Sequence, residues 1–186
     1  MESFYQPIRD VGRDYFDLIE LPGCRTLLVL VDVSGKGVSA ALLAANIQAL
    51  VRSIASIDQA PSTFARQINQ YLNRYTPVGR FATAVFLVLN RDSGKLIFLN
   101  ASHNAPIVSG PRSTTVFHGG DTLLLFTDGL TDSISSSNPE LLLNEALVER
   151  PGTTMFNLKS LIDPAFNEDD VTILLLKRHA GAVFGV

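Results

Sequence analysis

Residues 25–33, RTLLVLVDV, form a short apolar run ended by a turn, the pattern of a buried strand. GVSAALLAANIQALVRSIA follows, with helical length and few β-branched residues; Gly37 sits at its start and Ser39 is its expected cap. PSTFARQINQYLNRY predicts a second helix, in which Pro61 suits the first turn and Phe64, Ile68, Tyr71, Leu72 and Tyr75 share one face. The period then changes. FATAVFLVLNRDSGKLIFLNAS reads as two strands joined by Arg-Asp-Ser-Gly, and TTVFHGGDTLLLFTDG continues as strand with Gly-Gly-Asp as a turn. PELLLNEALVE and TMFNLKSLID predict shorter helices, TDSISSSNP a loop, and DDVTILLLKR a last strand. Strands and helices segregated in this way predict an α+β fold with mostly antiparallel sheet. No repeat, low-complexity tract or linker interrupts the 186 residues, so a single domain over residues 1–186 is expected.

Composition narrows the function classes. Charged residues make up only 18% of the chain and hydrophobic ones 46%, so a sizeable core is expected. A net charge of −3 with scattered basic residues gives no nucleic-acid footprint. Cys24 is the single cysteine, which rules out an internal disulfide and fits the cytoplasm. No apolar run is long enough to span a membrane, and no signal core opens the chain, so neither nucleic acid nor membrane is an expected partner. His103, His118 and His179 are widely spaced, and no HExxH or CxxC pattern is present, which argues against zinc.

The loop DVSGKG after the first buried strand resembles a phosphate cradle, but it fails the P-loop pattern twice: Leu30 stands where the first glycine belongs, and Gly37 follows Lys36. Lys36 then reads as a solvent-facing lysine. Asp32 has its own explanation. It ends one apolar run, Asp128 ends another, Asp169 and Asp170 open a third, and Asp14 and Asp17 flank an aromatic pair near a fourth. Carboxylates that converge at strand ends repel unless a cation neutralises them. Oxygen ligands without His or Cys favour Mg²⁺ or Mn²⁺. Each aspartate alone also fits a plain turn cap, so the spacing leaves both readings open.

The motifs in order decide for the first reading. GRDYFD, DVSGKGVSAALLAA, NASHNAP, LLLFTDGLTDS and DDVTILLL resemble GGDYYD, DVSGKG, NAGHNPP, LLLYTDGLTEA and DDITLLVL. Those are motifs of the bacterial PPM-type metal-dependent Ser/Thr protein phosphatases of the branch named after sporulation stage II protein E. The resemblance implies a sandwich of two mostly antiparallel β-sheets flanked by α-helices. It implies two Mn²⁺ or Mg²⁺ ions: Asp32 would bridge them, the Val33 carbonyl would be a backbone ligand, and Asp128 and Asp169 would complete one shell. Asp14 would hold the second ion through water. Gly35 would let the backbone approach the site, while Asp17, Asp132 and Asp170 would take support roles. The implied reaction is attack of a metal-bridging hydroxide on phosphoserine or phosphothreonine. The implied substrate is a phosphorylated signalling protein, specifically an anti-sigma-factor antagonist, with an upstream sensor or regulatory partner. The helix from Val38 would then be regulatory as well as structural.

The chain departs from that family pattern at several points. Arg13 replaces the second glycine of GGD and is a candidate for binding the substrate phosphate, with a solvent-facing arginine as the alternative. Ser102 replaces the glycine of NAGH. Eukaryotic relatives carry a histidine where Ser34 stands, so proton donation must come from elsewhere. His103 is a candidate substrate contact, against a turn-stabilising role. The first strand and the 107–121 segment read as shortened, and FYQP starts inside what is usually the first strand. The other expectations the motifs leave open are a catalytically weak or inactive regulatory binding module and a hydrolase of small phosphate esters.

Overall fold

The computed structural model describes residues 1–55, 60–110, 116–148 and 152–179. The elements run β1 (Glu2–Gln6), β2 (Asp14–Leu21), β3 (Arg25–Val33), α1 (Val38–Ile54), α2 (Pro61–Tyr75), β4 (Ala82–Asn90), β5 (Leu96–Ala101), β6 (Ile107–Ser109), β7 (Thr122–Phe126), α3 (Asp128–Asp132), α4 (Pro139–Val148), α5 (Thr154–Ser160) and β8 (Val171–Lys177). They form two antiparallel four-stranded sheets, ordered β2-β3-β4-β5 and β1-β8-β7-β6. The expected α+β class with antiparallel pairing is therefore what the chain adopts. Each sheet lies in its own compact unit. One unit spans Val11–His103 and takes in Val116 and Phe117; the other takes Met1–Asp10, Asn104 through β6, and the described residues from His118 to His179.

In the first unit, α1 and α2 cover one face of the sheet. Val29, Val31 and Val33 of β3 and Ala84, Phe86 and Val88 of β4 alternate onto that face and meet Leu43, Ile47 and Val51 of α1 and Phe64 and Ile68 of α2. The other parity of β3, Leu28 and Leu30, is buried too, which is why this strand reads as a continuous apolar run. Helix α2 has the bounds its apolar stripe predicts, although Tyr75 at the end of the stripe stands 63% exposed. The start of α1 corrects an expectation. Gly37, at φ 76°, caps it, no side chain bonds its free N–H groups, and the Ser39 hydroxyl instead accepts from Arg80 Nη2 at 3.2 Å.

In the second unit, Leu124, Phe126, Val171, Ile173 and Leu175 share a core with Leu130, Leu143, Leu147 and Leu158 from the helices. The Gly-Gly-Asp turn forms as expected, with Asp121 Oδ2 accepting from the His118 N–H at 2.6 Å. Helix α3 is a correction: Asp128 and Gly129 leave β7 directly into one helical turn that ends at Asp132 and takes the first residues of the expected loop. Strand β1 covers FYQ of the expected first strand and pairs along its length from Glu2↔Leu175 to Gln6↔Val171. Of the 107–121 segment, residues 111–115 lie outside the described residues, and Val116 bridges Lys95. Among the described residues no helix is long and apolar enough to cross a membrane.

Candidate metal centre

The β2–β3 register sets Asp14 directly opposite Asp32. Residues opposite each other in an antiparallel pair point to the same face, with Cβ atoms about 5 Å apart. The same register continues across the sheet, where Asp32 faces Thr83 of β4. The Thr83 hydroxyl in turn pairs with His103 Nδ1 at 2.8 Å. Asp14, Asp32, Thr83 and His103 thus form one polar row across the end of this sheet. His103 is also the closing residue of a turn: Asn100 Oδ1 accepts from its N–H at 2.8 Å and Asn100 Nδ2 donates to its carbonyl at 2.9 Å. The turn-stabilising role expected as the alternative for His103 is therefore present. Ser102 holds that turn in the left-handed region at φ 57°, the conformation that glycine takes most easily.

Arg13 lies just before β2, outside the strand alternation. Its Nη1 donates to the Val33 carbonyl at 3.0 Å and stands 3.2 Å from Asp32 Oδ1. Both side chains are largely shielded, at 13% and 11% exposure. A cation thus already sits on the carboxylate and the carbonyl that the family pattern assigns to metal.

The loop after Asp32 is fixed by a residue the sequence reading did not select. Arg80 donates to the Ser34 carbonyl at 3.0 Å and to Ser39. Gly35, at φ 98°, makes this possible, because a Cβ there would lie 1.5 Å from Arg80 Nη1. Ser34 accepts from the Phe81 N–H through Oγ at 2.8 Å, so its hydroxyl closes the loop. Lys36 is exposed, as its default reading has it. No local pattern marks Arg80 or Thr83; only their pairing partners do.

Asp17 is occupied elsewhere. Arg52 of α1 grips it with two bonds, 2.7 and 2.9 Å, and the Tyr15 hydroxyl donates to it at 2.8 Å. Burial, then the Asp17 bond and charge, push the Tyr15 phenol well above its ordinary range. Asp17 therefore ties a helix to a strand.

In the second unit, Asp128 opens α3 while Asp169 and Asp170 precede β8. Gly129 lets the two segments touch, since a Cβ there would lie 2.1 Å from the Asp170 carbonyl oxygen. Thr127 links them further, donating to that oxygen at 3.3 Å and accepting from the Thr172 N–H at 3.0 Å. The buried Asp170 carboxylate accepts from the Ile8 N–H at 2.8 Å, a structural use. Partial burial, then the charges of Asp128 and Asp169, raise the Asp132 carboxyl above its ordinary value. Asp128 and Asp169 are thus both within electrostatic reach of Asp132.

Among the described residues, no three His, Cys, Asp or Glu side chains are grouped closely enough to hold an ion by themselves. Bare carboxylates do not close up without a cation. The donor set is nonetheless all oxygen, which suits Mg²⁺ or Mn²⁺, and a guanidinium stands in for a cation at Asp32 and Val33. The residues fit the group.

A family model described as Stage II sporulation protein E (SpoIIE) matches residues 22–119, more than half of the chain. The chain belongs to the SpoIIE family. Protein IcfG of Synechocystis sp. is 23% identical, with 96% of this chain and 38% of IcfG covered, so the chain spans well under half of that curated relative. Among solved structures, the RsbU and RsbW domains of Rv1364c from Mycobacterium tuberculosis match at TM-score 0.79 and 22% identity, covering 96% of this chain and 60% of that one. The PP2C phosphatase domain of SpoIIE from Bacillus subtilis, with a fragment of its regulatory domain, matches at 0.74 and 15%, covering 93% and 61%. RsbX in complex with magnesium matches at 0.72 and 18%, covering 93% and 92%. These likenesses establish the PP2C fold. Asp14, Asp128 and Asp169 lie outside the matched span.

Proposed function

We propose that this SpoIIE-family chain is a divalent-metal-dependent protein serine/threonine phosphatase, folding and acting as one domain over residues 1–186. The observation that carries the reading is the Asp14–Asp32 pair, two carboxylates directly opposite on one sheet face with a cation already held against Asp32. Asp14, Asp32, Asp128 and Asp169, with the Val33 carbonyl, are the residues that hold two Mn²⁺ or Mg²⁺ ions in this reading. When bound, such ions supply charge neutralisation at the phosphoryl oxygens and a water activated for attack.

The chain's own groups do the rest. Asp32 and Asp14 set the position of positive charge relative to the sheet end. His103, oriented by Thr83 at Nδ1, is the group in the polar row that can meet the substrate or move a proton. Ser34, whose Oγ accepts from the Phe81 N–H, cannot take the proton-donating part of a histidine, because a serine hydroxyl does not titrate near neutral pH. Arg13 offers a planar fork for the phosphate. The substrate in this reading is a phosphorylated anti-sigma-factor antagonist inside the cell, supported by the ordered motifs shared with the family. An upstream sensor or regulatory partner would act on it, through α1, whose start adjoins the Asp32 loop.

Hydrolysis of a phosphoserine protein is the test, with wild type beside Asp32→Ala and Asp32→Asn, with and without Mn²⁺. The expected result is activity that requires Mn²⁺ and is lost in both variants. Folded wild type with no activity under any metal would refute the enzyme and leave a binding module. Good turnover of small phosphate esters with none on phosphoprotein would move the substrate class. At saturating Mn²⁺, Arg13→Ala should raise KM if the fork meets phosphate.

A further inference from the structure

Arg13 holds two groups that the proposed function gives to metal, the Asp32 carboxylate and the Val33 carbonyl. A guanidinium and a divalent ion placed against the same carboxylate and carbonyl repel each other and compete for the same negative charge. The contact is also shielded, at 13% and 11% side-chain exposure, so water screens it little. We propose that Arg13 is a resident counter-cation that a divalent ion must displace, so that the chain itself sets how much metal its site requires.

Asp14 and Asp32 face each other across β2 and β3, and two like charges at that spacing disfavour the metal-free fold. Arg13 offsets this charge from the adjacent position in sequence, which costs little chain entropy. The favourable energy of that contact then subtracts from metal binding, because a ligand that must break an existing contact binds more weakly by the population of the competing state. A guanidinium hydrogen bond to the Val33 carbonyl together with a shielded ion pair to Asp32 is strong enough to shift an equilibrium by roughly tenfold. A glycine at the same position, as in GGD, has no side chain and cannot compete. The change from glycine to arginine thus makes metal occupancy conditional instead of removing the site, since all the carboxylates are kept.

This inference rests on the proposed metal site, and the experiment separates the two. Mn²⁺ is titrated calorimetrically into metal-free wild type, Arg13→Gly, Arg13→Gln and Asp32→Asn, and the thermal midpoints of the metal-free proteins are compared. Arg13→Gly and Arg13→Gln should bind Mn²⁺ roughly tenfold more tightly than wild type. Their metal-free forms should melt lower, and Mn²⁺ should raise their midpoints by more. Asp32→Asn should lose the binding. Equal Mn²⁺ affinity in wild type and both Arg13 variants would overturn the counter-cation and leave the metal site standing. No Mn²⁺ binding by any of these proteins, folded by circular dichroism, would overturn both. Weaker binding in the Arg13 variants would also overturn it, since arginine would then support the ion. Arg13→Gln keeps a hydrogen-bonding side chain of similar reach, so the comparison survives if glycine loosens the turn.

Discussion

Gly129→Ala tests whether the approach of α3 to the start of β8 sets the acidic cluster of the second unit. The added Cβ would lie 2.1 Å from the Asp170 carbonyl oxygen, 2.9 Å from its carbon and 3.4 Å from the Asp169 carbonyl carbon. A comfortable carbon–oxygen approach is about 3.3 Å, so the segments must part by roughly 1 Å. The neighbours are backbone atoms and cannot swing aside. Gly129 is not in the positive-φ region, so alanine is free of dihedral strain. Helix propensity even favours alanine by about 1 kcal/mol. Overpacking costs about 1–3 kcal/mol. The net expectation is a loss of about 1 kcal/mol, or a Tm lowered by about 3 °C for a chain of this size. Asp169 and Asp128 move apart with the backbone, so Mn²⁺ affinity should fall as well. Differential scanning calorimetry and Mn²⁺ titration measure the two effects. An alanine variant as stable as wild type, with unchanged Mn²⁺ affinity, would refute the claim that this contact positions the carboxylates.

Ser102→Gly should stabilise the protein by about 0.5 kcal/mol in urea unfolding, because relief of the left-handed conformation exceeds the added freedom of the unfolded chain. Ser102→Val should do the opposite. Asp17→Asn should lower Tm by breaking the grip of Arg52 and the Tyr15 bond, yet leave Mn²⁺ affinity unchanged, which separates a tie between α1 and β2 from a ligand. Asp132 has its carboxyl raised in the folded state, by partial burial and then by Asp128 and Asp169, so its contribution is full below the ordinary carboxylate range and lost as pH rises through the raised value. Metal-free Asp132→Asn should therefore unfold at higher urea than wild type near pH 7, and the two should converge near pH 3. A gap that persists at the acid end would show that charge is not the cause.

The strands and helices that bury a periodic face were legible without the fold. The β3 bounds and the whole of α2 follow from apolar runs and stripes, and the α+β class follows from their order, because burial is decided by side-chain pattern over a few residues. The carboxylates at strand ends were legible for the same reason: each interrupts an apolar run. What sequence could not show was which partners the ends acquire. Strand β1 exposes nearly all its residues and carries no alternation, and it exists because β8 offers a free edge over 160 residues away. Helix α3 is too short to hold by propensity; Leu130 in the core and Gly129 against Asp170 hold it. The Asp14–Asp32 pairing is a matter of register, and a slip of one residue would send the carboxylates to opposite faces. Arg13 was visible as a substitution in a motif, but its choice of Asp32 and Val33 as partners is a distance, which only the tertiary structure decides.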